Sequence, residues 1–209
     1  MKKKILISSG GSGGHVMPAI AIYDHLKENF EVCLSLDKRG SSFIKDEKYK
    51  YEIVYSPRLS FNILNFPLII IKFFFSFLKS FFFLKKNKVD ILFGTGGYMS
   101  VPICMAAIFL RIKIYLFEPN MVIGKANKFL VKFCKKIFCY SNEIENFPNK
   151  YKNKIFVIQQ ILRKEIYSFN SHSKKEINNI VNLLIIGGSQ GAKFFDKNLK
   201  NSIINLSKK

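Results

Sequence analysis

Three times along this chain a short apolar run ends in a glycine-rich turn: KILISSGGSGGHVMPAIAI (4–22), VDILFGTGGYMSVP (89–102) and NLLIIGGSQGA (182–192). A buried strand that breaks into glycines and then into a helical pattern is the signature of a βα unit, and its repetition predicts a parallel sheet. Between the first two turns the pattern predicts a helix over Pro18–Asn29, a strand over Val32–Leu36, a weaker strand near Glu52–Tyr55 and a long apolar helix over Phe66–Asn87. After the second turn come a helix to about Leu110, a strand over Lys113–Phe117, a helix over Gly124–Lys135 and strands over Ile137–Tyr140 and Ile155–Ile158. The fold class is α/β, a Rossmann-like, doubly wound parallel sheet. Residues Lys150 to Asn179 are polar and weakly patterned, and a new strand, turn and helix follow them. A first domain over 1–160 and a linker with the start of a second domain over 161–209 are expected. One strand and one helix cannot bury a sheet face by themselves.

With 34 Lys and Arg against 14 Asp and Glu, the net charge of +20 favours an anionic partner. No nucleic-acid-binding motif accompanies that charge, so nucleic acid is not expected as a partner. Cys33, Cys104, Cys134 and Cys139 form no CxxC pair and have no histidine at zinc spacing, so reduced thiols and no metal are expected. After Met1–Lys4 only Ile5–Ile7 is apolar, too short for the core of a signal peptide.

Phe66–Leu84 contains 14 strongly apolar residues, which raises the possibility of a membrane span. On an insertion scale they contribute about 4–8 kcal/mol, against about 2.5–3.5 for each of the central Lys72 and Lys79, so hydropathy alone is balanced. Topology is more decisive, because a spanning helix would separate the strand at 89–93 from the strand at 4–8 that it should pair with. Lys72, Lys79 and Lys86, seven residues apart, form one cationic stripe. Two alternatives stand: an internal core helix, or a helix packed on the sheet by one face that touches an anionic bilayer with another.

Glycine turns between strand and helix let backbone N–H groups approach an anion at the positive end of a helix. The dinucleotide fingerprint fails in the first turn because Val16 stands where its third glycine belongs, although Asp37 lies near the position of a ribose-binding acid. No Gly-Lys-Ser/Thr follows any turn, which excludes a P-loop.

Together GGSGGHVMPAIAI, GTGGYMSVP, EPNMVIGKANKFL and GGSQGA, in this order and spacing, resemble the MurG family of bacterial glycosyltransferases. The resemblance implies a GT-B fold, of which this chain carries the N-terminal acceptor domain and the first strand and helix of the donor domain. It implies inverting, metal-independent and cofactor-free transfer of GlcNAc from UDP-GlcNAc to the MurNAc 4-hydroxyl of undecaprenyl-linked lipid I, giving lipid II. The absence of a DxD pattern agrees with a metal-free site. By position, Ser12, Gly13, Gly14, Asn120, Arg163, Ser189 and Gln190 match UDP-GlcNAc contacts. Pro119 departs from the family's EQN, and QQIL departs from the segment that usually precedes the arginine at 163. Gly14, His15, Gly96, Gly97 and Tyr98 fall where the acceptor pyrophosphate is expected. Phe73, Phe74, Phe77, Lys72, Lys79 and Lys86 are expected to meet an anionic membrane surface, which would place the protein peripherally on the cytoplasmic face of the bacterial inner membrane.

His15 is the catalytic candidate. It can take a proton from the acceptor hydroxyl, contact the acceptor or its phosphate, or serve as a structural donor at the helix N-terminus. Glu118 is a second candidate base, or else a cap for the turn that follows it. The donor site cannot close within 209 residues, so the chain alone is expected to be inactive. The alternative is a non-catalytic module that holds a polyprenyl pyrophosphate for a separate donor-binding partner.

Overall fold

The computed structural model describes residues 2–44, 47–54 and 66–162, together with 166 and 199. The chain divides into two units, Met1–Phe169 and Asn170–Lys209, and almost all described residues belong to the first.

That unit is a seven-stranded sheet in the order β3-β2-β1-β4-β5-β6-β7, with every pair parallel. The strands are β1 (Lys4–Ser8), β2 (Glu31–Leu36), β3 (Tyr51–Ile53), β4 (Ile91–Gly94), β5 (Lys113–Glu118), β6 (Lys136–Cys139) and β7 (Ile155–Val157). The helices are α1 (Gly13–Leu26), α2 (Lys38–Ser41), α3 (Phe66–Lys86), α4 (Val101–Phe109) and α5 (Lys125–Leu130). The order reverses at β1, whose neighbours are β2 and β4. Loops that leave the carboxyl ends of β1 and β4, on either side of that reversal, line the crevice where an open α/β sheet binds its ligand.

Alternation within the strands feeds two cores. Ile5, Ile7, Val32, Leu34 and Leu36 face α1 through Val16, Ala19, Ile20 and Tyr23. Leu6, Leu92, Ile114, Leu116 and Ile137 face the other way, against Leu84 of α3, Ile103 and Ala107 of α4 and Leu130 of α5.

Helix α1 starts at Gly13, five residues before the expected Pro18. Proline favours the first turn of a helix, which drew the expected boundary to it; here Pro18 lies inside α1, where the carbonyl left without an N–H partner is that of Gly14. Helix α5 ends at Leu130, short of the expected Lys135.

Helix α3 inverts the usual amphipathic pattern. Ser76, Ser80 and Leu84, four residues apart, are its buried positions, while Leu68, Ile70, Ile71, Phe74, Phe75 and Phe82 are each more than half exposed. It is long and apolar enough to cross a membrane. The strands on either side of it, β3 and β4, nevertheless belong to one sheet, and its inner residues Phe77, Phe81 and Leu84 pack in the core with α4.

Candidate active site

Two glycine loops meet at the carboxyl ends of β1 and β4. Thr95 N–H donates to the carbonyl of Ser8 at 3.0 Å, and the Thr95 hydroxyl donates to the carbonyl of His15 at 3.2 Å. Gly96 and Gly97 then take φ of +90° and +82°, a region that side chains rarely adopt. The His15 ring lies against both: a Cβ on Gly96 would sit 3.3 Å from His15 Cε1, and one on Gly97 would sit 3.6 Å from Cδ2. The hydroxyl of Ser100, donating to Gly97 O at 2.8 Å, fixes the single helical turn Tyr98–Ser100 that follows. Tyr98 is exposed beside it.

His15 Nδ1 lies 2.9 Å from the Thr95 carbonyl oxygen. A carbonyl only accepts, so Nδ1 carries the hydrogen, and in the neutral ring Nε2 keeps its lone pair. Nε2 has no hydrogen-bond partner among the described residues. The ring is half-buried: oriented on one side, open on the other. Ser12 is the N-cap of α1 with extended backbone and makes no side-chain cap bond. The first intrahelical bonds, from the N–H groups of His15 and Val16, return to the Ser12 carbonyl. The N–H groups of Ser12, Gly13 and Gly14 therefore precede the helix ladder and lie at its positive end.

The third loop follows β5 and is built around Glu118, whose side chain is 2% exposed. Its Oε1 accepts from Asn120 Nδ2 at 2.9 Å and from Asn120 N at 3.3 Å. Its Oε2 accepts from Gly124 N at 2.8 Å and from Asn127 Nδ2 at 3.0 Å. Of the two roles open to Glu118, the structure gives the cap: both oxygens are occupied in holding the turn. Asn120 is thereby positioned at the loop, exposed, with its amide nitrogen on the carboxylate.

Asp37 is likewise occupied. Its Oδ1 accepts from Gly11 N at 2.9 Å and Gly40 N at 2.8 Å, and Oδ2 accepts from Arg39 Nε at 3.2 Å. Burial pushes this carboxyl upward, but the two backbone N–H groups and Arg39 outweigh it and hold the acid below its ordinary range. It caps α2 and braces the first loop, so the position that suggested a ribose-binding acid is taken. The buried thiols are unreactive: loss of solvation pushes Cys104 and Cys139 up to about 12 and Cys134 to about 11.

Asn127, which the sequence reading passed over, is 2% exposed. Its Nδ2 also donates to Phe117 O at 3.0 Å, and it lies 3.3 Å from where a Cβ on Gly96 would be, the glycine against which the His15 ring also packs. A polar residue seven positions after Asn120, in a helix that turns Ala126 and Leu130 inward, was the available signal. Arg163, Ser189 and Gln190 lie outside the described residues. On α3, Phe74, Lys72, Lys79 and Lys86 are exposed and Phe73 and Phe77 are half-buried, with Phe77 edge-on to Phe109 of α4 at 5.4 Å.

Residues 5–139 match the glycosyltransferase family 28 N-terminal domain. The chain is 53% identical, over its whole length, to the UDP-N-acetylglucosamine–N-acetylmuramyl-(pentapeptide) pyrophosphoryl-undecaprenol N-acetylglucosamine transferase of Pelagibacter ubique, of which it spans 58%. It is 37% identical over 96% of its length to the transferase of the same name from Rickettsia canadensis, spanning 56% of it. The crystal structure of Acinetobacter baumannii MurG superposes with a TM-score of 0.72 at 25% identity, covering 94% of this chain and 56% of that one. A UDP-GlcNAc 2-epimerase from Methanocaldococcus jannaschii, at 17% identity and a TM-score of 0.53 over 74% of the chain, shares the fold alone. This chain belongs to the MurG family, within glycosyltransferase family 28.

Proposed function

We propose that this chain is the acceptor-side portion of a transferase that moves GlcNAc from UDP-GlcNAc to the MurNAc 4-hydroxyl of lipid I, forming lipid II with inversion. The observation that carries the proposal is the orientation of His15. Its Nδ1 hydrogen is committed to the Thr95 carbonyl, which leaves the Nε2 lone pair at the mouth of the two glycine loops. In the proposed step the acceptor hydroxyl gives its proton to Nε2 while its oxygen forms the bond to the GlcNAc anomeric carbon. The bond from that carbon to the UDP phosphate breaks, and UDP leaves with the electron pair. The N–H groups of Ser12, Gly13 and Gly14, with Gly96, Gly97 and Tyr98, hold the phosphates near the reacting oxygen. Asn120 and, beyond the described residues, Arg163, Ser189 and Gln190 contribute to the donor side. Membrane-bound substrate is reached through α3, whose outward Phe74, Phe75 and Phe82 lie among Lys72, Lys79 and Lys86, so the protein works peripherally at the cytoplasmic face of the inner membrane.

The test is turnover by the whole transferase carrying His15→Gln. General-base loss lowers kcat by about 10²–10⁴-fold with KM for UDP-GlcNAc little changed; a fall in kcat below about tenfold refutes the role. The 209-residue chain alone is expected to show no turnover, and a donor-domain polypeptide added in trans to restore it. Retained prenyl-pyrophosphate binding without any restored turnover would instead favour the non-catalytic module.

A further inference from the structure

We propose that Arg39 is a phosphate-contacting residue, gripping the diphosphate of a substrate from the outer flank of the first glycine loop. The inference rests on the proposed binding of pyrophosphate at these loops and adds a residue that none of the glycine motifs contains.

The carboxylate of Asp37 abuts the loop: a Cβ on Gly10 would stand 3.0 Å from Asp37 Oδ1. Arg39 Nε donates to the other oxygen at 3.2 Å, and Arg39 Nη2 lies 3.6 Å from where a Cβ on Gly11 would be. The guanidinium thus lies alongside Gly11 with one of its five N–H groups engaged, and the others have no hydrogen-bond partner among the described residues. Its side chain is 46% exposed.

Two roles compete for such a cation. As a brace for the loop it is secondary, because Gly11 N–H and Gly40 N–H hold Asp37 Oδ1, the oxygen against the loop, while Arg39 touches only Oδ2. Nearly half of the Arg39 side chain reaches solvent, which screens its pull on the buried Asp37. As an anion ligand it is well placed. Asp37 engages Nε alone, which leaves the Nη1 and Nη2 edge of the guanidinium, whose fork geometry suits phosphate oxygens, to a ligand. The unladdered N–H groups of Ser12–Gly14 offer a second set of donors on the same loop. A diphosphate has two phosphates for two donor sets.

The experiment titrates geranyl pyrophosphate and, separately, UDP into the full chain and its variants by calorimetry, with circular dichroism as the folding control. Arg39→Ala should weaken binding of at least one of them by about tenfold or more, as expected for a charge-assisted contact. Arg39→Lys should recover part of that loss, since it keeps the charge without the fork. Asp37→Asn separates the two roles: it keeps an oxygen for the Gly11 and Gly40 N–H groups and removes a negative charge beside the anion, so affinity should hold or rise. Lys113→Ala, at the opposite end of β5, should change nothing. A loss confined to geranyl pyrophosphate assigns Arg39 to the acceptor, and one confined to UDP assigns it to the donor. Arg39→Ala binding both ligands within about twofold of wild type, or Asp37→Asn and Arg39→Ala weakening in parallel, overturns the inference while the loops' reading stands. Failure of the wild-type chain to bind either ligand overturns both.

Discussion

Glu118→Gln tests whether the third loop depends on a carboxylate or merely contains one. Glu118 accepts four N–H hydrogen bonds, two on each oxygen, at a position 2% exposed. Glutamine keeps the shape and replaces one oxygen by an NH2 group, so two donors lose their acceptor and face another donor. If the amide points its oxygen at Gly124 and Asn127, the stranded pair is the backbone N–H and side-chain amide of Asn120. That residue is exposed and can turn to water, so the cost is the lost bonds more than full desolvation. Two charge-assisted bonds at about 1.5–3 kcal/mol each, with part recovered by water, give a net loss of about 2–4 kcal/mol. For a chain of this size each kcal/mol lowers Tm by about 2–4 °C, so a drop of roughly 4–16 °C is expected. The assay is thermal and denaturant unfolding of wild type and variant at neutral pH, paired with turnover in the whole transferase. A variant as stable as wild type but without turnover would refute the reasoning, because Glu118 would then be acting on the reaction and not on the loop.

Gly96→Ala places a Cβ 3.3 Å from His15 Cε1 at φ +90°, costing about 1–3 kcal/mol; the denaturant midpoint should fall and the His15 ring nitrogen resonances should shift from the Nδ1–H pattern of wild type. Asp37 has its folded-state pKa lowered by Gly11, Gly40 and Arg39 against the upward push of burial, so its contribution is present above the unfolded carboxyl value of about 3.9 and is lost as pH falls from there toward the lower folded value. The stability gap between wild type and Asp37→Asn should therefore be full at pH 7 and shrink as pH falls below the unfolded carboxyl value of about 3.9, read from urea midpoints. Replacing Phe74, Phe75 and Phe82 together by serine should cut binding to phosphatidylglycerol vesicles by about tenfold or more, with the melting temperature held within a few degrees because all three are more than half exposed; unchanged vesicle binding would leave α3 without a membrane role.

The strands and the long helices were legible because their signal is local: alternating or continuous apolar runs closed by glycines. The two glycine loops were legible for the same reason, since glycine is conspicuous where the backbone turns left-handed. What escaped was short or distant. Helix α2 is four residues long, below any helical period, and without it neither the Asp37 brace nor the placement of Arg39 is visible. The partner that orients His15 is the Thr95 carbonyl, 80 residues away, and a carbonyl leaves no mark on a sequence. Asn127 reads as one more polar residue of a helix until the fold lays it under Gly96. Glu118 was legible as a residue of interest and ambiguous as to role, since a base and a cap occupy the same position in the chain and differ only in what their oxygens touch.

The bond between His15 and Thr95 has an evolutionary consequence. When a histidine is oriented by an aspartate, a single substitution removes the orienting group. Here the acceptor is main chain, present whatever residue occupies position 95. Point mutation can shift that carbonyl by disturbing the backbone at Gly96 or Gly97, but it cannot delete it. The choice of tautomer is inherited with the path of the loop, and drift in side chains around the site leaves it intact.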